Sequence, residues 1–183
     1  MKKLFLLALL FFAFGTAVQA QRFFTRDAKI QFNSDTPMEK IEGVNKSGTA
    51  VIDTKTGRME WKVLVKNFLF EKALMQEHFN ENYMESSKFP NATFKGSIAD
   101  LSAVNFGKDG AYKVTVKGTM TIHGVSKEIE VPGTITVKNG TLLISSNFSV
   151  ACADYGIQIP SVVRDNIAKE IAVIIDATLS PMK

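Results

Sequence analysis

The sequence predicts an all-β protein, an antiparallel barrel of about eight strands with an amphipathic helix covering one side. Apolar and polar residues alternate with period two through much of the chain, which is the period of a strand with one dry and one wet face. Short turns containing Gly and Asn separate these segments, as in antiparallel hairpins. Because each strand is dry on one face only, the pattern favours a barrel or a sandwich over a parallel sheet.

The first 20 residues have the pattern of a secretory signal peptide. Lys2 and Lys3 precede an apolar run over residues 4–14, and small residues follow up to Ala20. The run is too short to span a membrane, which takes about 20 apolar residues. We therefore predict cleavage near Ala20 and one domain over residues 21–183, exported to the periplasm or secreted by a bacterium, with no stable membrane insertion.

The charge bears on possible partners, and the cysteine content bears on how the fold is stabilised. The formal net charge is +4, and the predicted leader contributes Lys2 and Lys3, which leaves +2 for the remainder. No basic block stands out, so a nucleic-acid partner is not expected.

Cys152 is the single cysteine, so no disulfide can form within the chain. An exported domain without disulfides depends on its hydrophobic core.

The strands follow from the alternation in order. The N-terminal half predicts strands near residues 29–33, 39–44, 48–53 and 59–65, with a tight turn at 54–57. The C-terminal half predicts strands at 91–98, 113–122, 128–137, 142–150 and 171–179. A turn at 138–140 contains Asn-Gly, one of the strongest hairpin signals.

Two segments interrupt the meander. Residues 71–84 have helical periodicity, with Leu74 and His78 among the residues of a dry arc, and the helix should end before Phe89-Pro90. Residues 152–169 are predicted to form a loop with one helical turn at 161–166. This loop could fold over an opening of the barrel.

Three glycines fall on the inward phase of predicted strands, namely Gly96, Gly118 and Gly133. Such glycines leave internal room, and an eight-stranded barrel can hold one small ligand. Glycines at these positions also serve the sharp bends of a barrel. From the sequence both interpretations stay open.

Neither histidine predicts a catalytic or metal site. Glu77 and Glu81 flank His78, but the helical phase places both on the wet face and His78 on the dry face, where we expect it to be hydrogen-bonded or to contact a ligand. His123 lies in a turn between two strands and should bond nearby backbone. A pairing of His123 with Ser126 lacks the G-x-S-x-G elbow of a hydrolase.

Three motifs together resemble the YceI-like family. They are His78-Phe79 with Tyr83 followed by "KFPNATF" at 88–94, then "GTMTIHGVSK" at 118–127, then "ADYGI" at 153–157. The resemblance spans nearly all of residues 21–183. It implies a lipocalin-like antiparallel barrel whose apolar channel holds a long isoprenoid or related lipid. Few large aromatics lie on the inward strand phases, the clearest being Trp61, Phe94 and Phe148.

The expected function is that of a periplasmic or secreted carrier of a hydrophobic ligand, a polyisoprenoid lipid or an isoprenoid quinone, with no other cofactor and no metal. Alternatives are an enzyme acting on such a lipid and a packed barrel without a ligand; a homodimer is compatible with each. A head group would meet Tyr155, His123, Arg164 or Lys127. The predicted ligand-binding residues are His78, Phe79, Tyr83, Phe94, Gly96, Val116, Gly118, Met120, Val131, Gly133, Phe148 and Tyr155.

Overall fold

The computed structural model describes residues 22–182, which form a closed antiparallel barrel of eight strands in sequence order, with β1 paired to β8. This confirms the predicted fold class, while the predicted signal peptide lies outside the described residues. The strands are β1 (Arg22–Asp35), β2 (Lys40–Asp53), β3 (Arg58–Leu64), β4 (Asn91–Ile98), β5 (Gly110–Ile122), β6 (Val125–Lys138), β7 (Thr141–Ala151) and β8 (Glu170–Pro181).

The first two strands are longer than the sequence indicated. The strands predicted at 39–44 and 48–53 are one continuous strand, β2, and β1 begins at Arg22 instead of residue 29. Polar Lys46 and Ser47 interrupt the alternation, but the register between β1 and β2 shifts here and absorbs the irregularity. The strand therefore continues through a segment that the pattern had divided.

Asn45 occupies this irregular part of β2 and is fully buried. Its Nδ2 donates to the carbonyl of Leu64 at 3.0 Å, while its Oδ1 accepts from the amide and the hydroxyl of Ser47 at 2.8 and 2.9 Å. Direct pairing of β2 with β3 covers only 49–52 and 59–62. Asn45 thus joins the two strands beyond the point where their ladder ends.

One end of the barrel is packed shut, and we call it the closed end. Its apolar side chains come from the starts of the odd-numbered strands and the ends of the even-numbered ones. They include Phe23, Ile52, Met59, Ile98, Val114, Val116, Ile135, Val137, Leu142 and Leu179, each less than a tenth exposed. Burial on this scale is the main favourable term in folding.

Gly96 and Gly118 face each other across β4 and β5 just above the closed end. A Cβ at Gly96 would lie 2.3 Å from the carbonyl oxygen of Lys117, and one at Gly118 would lie 2.3 Å from that of Lys95. Neither position has room for a side chain, so the backbones approach closely. These two glycines therefore serve the bend of the barrel and not internal room. A Cβ at Gly133 would meet only ordinary contacts, the nearest at 3.4 Å, so the close approach is confined to the pair.

The helix lies at the opposite end, which we call the mouth. It consists of α1 (Ala73–His78) continued by a π-helical turn, Phe79–Tyr83, and it ends before Phe89-Pro90 as predicted. No residue of either piece is buried, because the helix borders a space instead of a packed core. The second interruption contains 3-10 helices at Cys152–Tyr155 and Ser161–Asn166, and the latter confirms the predicted helical turn.

Replacing Asn45 by Leu should destabilise the fold strongly. Leu has a similar size but leaves the Leu64 carbonyl and the Ser47 amide without their partners. Three hydrogen bonds of Asn45 are lost, and each contributes about 0.5–1.5 kcal/mol, so we expect the free energy of unfolding in urea to fall by about 2–4 kcal/mol.

The matched control is Asn67→Leu. Asn67 donates to the same Ser47 hydroxyl at 2.9 Å, but this bond is exposed to water. We expect the control to lose less than about 1 kcal/mol. Equal losses in the two variants would contradict the structural role assigned to Asn45.

Candidate functional site

The mouth half of the barrel encloses a cavity of about 520 Å³. This volume is in the range of small-molecule sites, which span about 300–1,000 Å³. Inward residues of seven strands and the segments that cross the mouth form its wall. The strand residues that line it include Ile30, Phe32, Ile41, Trp61, Val63, Phe94, Met120, Phe148, Val150, Val173 and Ile175.

Four phenylalanines, Phe32, Phe68, Phe70 and Phe79, form an aromatic cluster on one side of the cavity. The Phe79 ring lies 5.2 Å from Phe32, 5.7 Å from Phe68 and 5.0 Å from Phe70, measured between centroids. Such pairs add to the stabilisation from burial, so the cluster holds the π-helical turn against β1. The expectation of few large aromatics concerned the inward strand phases, and three rings of this cluster, Phe68, Phe70 and Phe79, lie on segments outside the strands.

The structure brings seven of the twelve predicted ligand-binding residues to the cavity wall. They are His78, Phe79, Tyr83, Phe94, Met120, Phe148 and Tyr155. The other five lie outside it: Gly96, Val116, Gly118, Val131 and Gly133. The glycine pair and Val116 belong to the closed end, where side chains and close backbones fill the interior. Val131 and Gly133 lie on a part of β6 that forms no part of the wall.

Polar contacts fasten the segments that cross the mouth. Glu39, on the turn between β1 and β2, is 3.8 Å from Lys72 Nζ and accepts from Asn166 Nδ2 at 3.1 Å. The buried hydroxyl of Ser34 accepts from the amide of Ala168 at 2.8 Å. The β1–β2 turn is thereby joined both to the start of α1 and to the segment before β8.

His78 lies at the rim of the cavity with its side chain exposed. Of the two expectations for His78, the hydrogen bond is not found among the described residues, whereas contact with a ligand stays a prediction that its place at the rim allows. Leu74, one turn earlier in the helix, is 61% exposed. Among residues 22–182, His78 has neither a hydrogen bond nor an ion pair.

His123 joins three segments outside the cavity. Its Nε2 is 2.9 Å from Glu85 Oε2 and its Nδ1 is 3.2 Å from the carbonyl oxygen of Tyr155, while its ring packs 4.6 Å from that of Phe89. We call these four residues the latch. The sequence predicted bonds to nearby backbone, but the partners are 32 and 38 residues away along the chain.

Two residues of the latch have left-handed backbone, Glu85 with φ 42° and His123 with φ 50°. His123 and Gly124, with φ 75°, form the two-residue turn between β5 and β6, and a type I′ hairpin turn requires positive φ at both positions. Of the four expected head-group residues, only Tyr155 lines the cavity; His123, Lys127 and Arg164 do not.

Burial favours the neutral forms of three ionisable groups in the cavity wall. Desolvation raises the pKa of the Tyr83 hydroxyl, of the Cys152 thiol and of the Tyr155 hydroxyl, and the charge of Asp154 raises the pKa of Tyr155 further. The Tyr83 hydroxyl has no hydrogen-bond partner among the described residues. It can therefore donate to a polar group of a molecule in the cavity.

The Cys152 thiol should react slowly with alkylating reagents. Its raised pKa means that the thiolate fraction at pH 7 is below that of a free cysteine. We expect alkylation by iodoacetamide at pH 7 to be severalfold slower in the folded protein than in the same protein in urea, and to accelerate as the pH rises. Equal rates in the two states would contradict the burial of this thiol.

The substitution His123→Ala should release the latch without opening the barrel. Hydrogen bonds to charged groups contribute about 1.5–3 kcal/mol, so amide hydrogen exchange over residues 73–88 should rise by about tenfold or more. The matched control is Lys95→Ala, which removes an exposed 4.0 Å ion pair with Glu60 on the barrel wall and should leave exchange unchanged. A uniform rise through all strands would contradict a local latch.

Solved structures of other proteins share the fold of this chain. No curated protein matches it. A polyisoprenoid-binding domain from Saccharophagus degradans matches with a TM-score of 0.77 and 15% identity, over 89% of this chain and 99% of that one. Burkholderia cenocepacia BcnA matches with a TM-score of 0.70 and 18% identity, over 84% and 96%. The YCEI protein of Campylobacter jejuni matches with a TM-score of 0.59 and 20% identity, over 77% and 84%.

Within the described part of the chain, no helix is long and apolar enough to cross a membrane. Over the same residues, no three His, Cys, Asp or Glu side chains are arranged to hold a metal ion. The family model that describes the YceI-like domain matches residues 22–179. That match covers nearly the whole barrel, and the chain belongs to the YceI-like family.

Proposed function

We propose that this protein is a carrier that holds one hydrophobic molecule, an isoprenoid lipid or isoprenoid quinone, in the mouth half of its barrel. The observation that carries the proposal is the cavity of about 520 Å³ with an almost wholly apolar wall. A buried methylene contributes about 0.8 kcal/mol, so a long apolar chain can bind there with few polar contacts. The polyisoprenoid-binding domain named among the structural neighbours supports the same class of ligand.

The charged groups at the cavity fit this function. Of the charged residues that border the cavity, Glu39 and Lys72 pair with each other at the mouth, and Lys62 alternates with inward Trp61 and Val63 and is exposed. A polar head group would therefore sit near the mouth, where the Tyr83 hydroxyl and the His78 ring are available. The apolar tail would extend inward towards Phe94.

Binding is favoured over catalysis by the positions of the two histidines. Within the described residues 22–182, His78 borders the cavity without an acidic partner, whereas His123, which does have the partner Glu85, lies outside the cavity wall. A general base needs both a partner that orients it and reach to its substrate. The cavity also argues against a packed barrel without a ligand.

The N-terminal pattern supports a place outside the cytoplasm. The basic residues, the apolar run and the small residues before Ala20 are those of an exported protein. We propose that the carrier works in the periplasm or is secreted, where a lipid needs a protein to cross an aqueous space.

Mass spectrometry of an organic extract tests the proposal. Protein purified from the periplasm of a bacterial host should release one long-chain isoprenoid or quinone per chain. Val150→Glu places a carboxylate in the cavity wall, and burial of this unpaired charge against an apolar chain should empty the site.

The control is Ser149→Glu, which places the same charge on the outer face of the same strand and should leave the ligand bound. Wild-type protein that carries no lipid, and that binds neither added prenols nor added quinones, would overturn the proposal.

A further inference from the structure

We infer that Phe94 is the floor of the cavity and sets the length of apolar chain that the barrel accepts, an inference that rests on the proposed function. Phe94 lines the cavity and is 9% exposed. Its register partners Trp61 on β3 and Met120 on β5 line the cavity as well. The next inward residues towards the closed end, Gly96 and Gly118, do not.

The Phe94 ring has a fixed place because of the glycine below it. Its Cζ and Cε1 atoms lie 2.5 and 2.8 Å from the position that a Cβ of Gly96 would occupy. The ring therefore lies in the space that a side chain at residue 96 would fill, pointing along β4 towards the closed end. Gly118, directly opposite Gly96, offers no side chain to compete for this space.

The floor limits the length of a bound chain. A dry protein cavity of about 150 Å³ holds one benzene molecule, which corresponds to about 25 Å³ per carbon. On this scale the observed volume of about 520 Å³ takes about 20 carbons, or about four isoprene units. The remainder of a longer chain would extend through the mouth into water and add little affinity.

Removing the ring should lengthen the cavity by a defined amount. Because the two glycines below it carry no side chains, Phe94→Ala leaves a pit of about the size of benzene. At about 25 Å³ per carbon this pit admits about six carbons, close to one further isoprene unit. Each methylene that enters the pit can raise the affinity by up to about fourfold.

The binding of prenols of increasing length tests the inference. Trp61 is the only tryptophan of the chain and lies in the floor, so its fluorescence reports binding. The probes are farnesol, geranylgeraniol and geranylfarnesol, with three, four and five isoprene units. In the wild type we expect the affinity to rise from three units to four and to change less than twofold from four to five.

In Phe94→Ala we expect the five-unit prenol to bind at least tenfold more tightly than the four-unit one. Phe94→Leu keeps most of the apolar volume of the core and should show a smaller shift in the same direction, so it replaces the Ala variant if that fails to fold. The control Phe24→Leu shortens a half-buried ring of β1 that does not line the cavity and should leave the preferred length at four units.

Three outcomes separate this inference from the proposed function. A preference for a longer prenol that appears in the Phe94 variants, and not in the wild type or the control, supports the role of Phe94 as the floor. If the affinity of the wild type rises with every added isoprene unit, or if the Phe94 variants change all three affinities equally, the role of Phe94 as the floor is overturned. The proposed carrier function would stand in that case. Wild-type protein that binds none of the three prenols would overturn the carrier itself, and the floor with it.

Discussion

The close approach of β4 to β5 at Gly96 and Gly118 is the constraint on which the two halves of this barrel depend. A Cβ at either position would lie 2.3 Å from a carbonyl oxygen, so only glycine permits the bend. Glycines have a different role in β2, where Phe32 covers Gly43 and Ile30 covers Gly48, with ring or methyl atoms 2.5 and 2.4 Å from the Cβ positions. There the missing side chains leave room for large residues of the cavity wall.

Strand pairing reinforces the difference between the two ends. The ladder between β2 and β3 covers only 49–52 with 59–62, and that between β6 and β7 only 134–138 with 141–145. Both ladders lie at the closed end. At the mouth, the gaps are bridged by other contacts: Leu69 exchanges two backbone hydrogen bonds with Val44, and the latch fastens the turn at Cys152–Tyr155. Regions held by few and partly exposed bonds open at lower free energy than a core.

The sequence predicted what local patterns determine and missed what distant contacts determine. Period-two alternation located the eight strands because each strand needs one dry face whatever its neighbours are. An inward glycine is ambiguous by itself: whether Gly96 leaves room or meets backbone depends on where Lys117 lies. The partners of His123 and the burial of Asn45 likewise depend on residues far along the chain. The helix was located correctly, but its exposure was not, because its apolar row faces a cavity that no sequence pattern displays.

The asymmetry between the ends gives a physical basis for ligand exchange. A molecule can reach the cavity only where segments of the backbone separate. Entry through the closed end would require the barrel to lose both its packed core and the complete strand ladders there. The mouth is held instead by the Glu39–Lys72 pair, the latch and the aromatic cluster around Phe79. Exposed ion pairs contribute little, so the latch and the aromatic cluster are the main resistance to opening. When the mouth opens, the four rings lose packing contacts with one another. A ligand chain that contacts these rings restores part of that packing energy, so apolar ligands are favoured at entry as well as in the bound state.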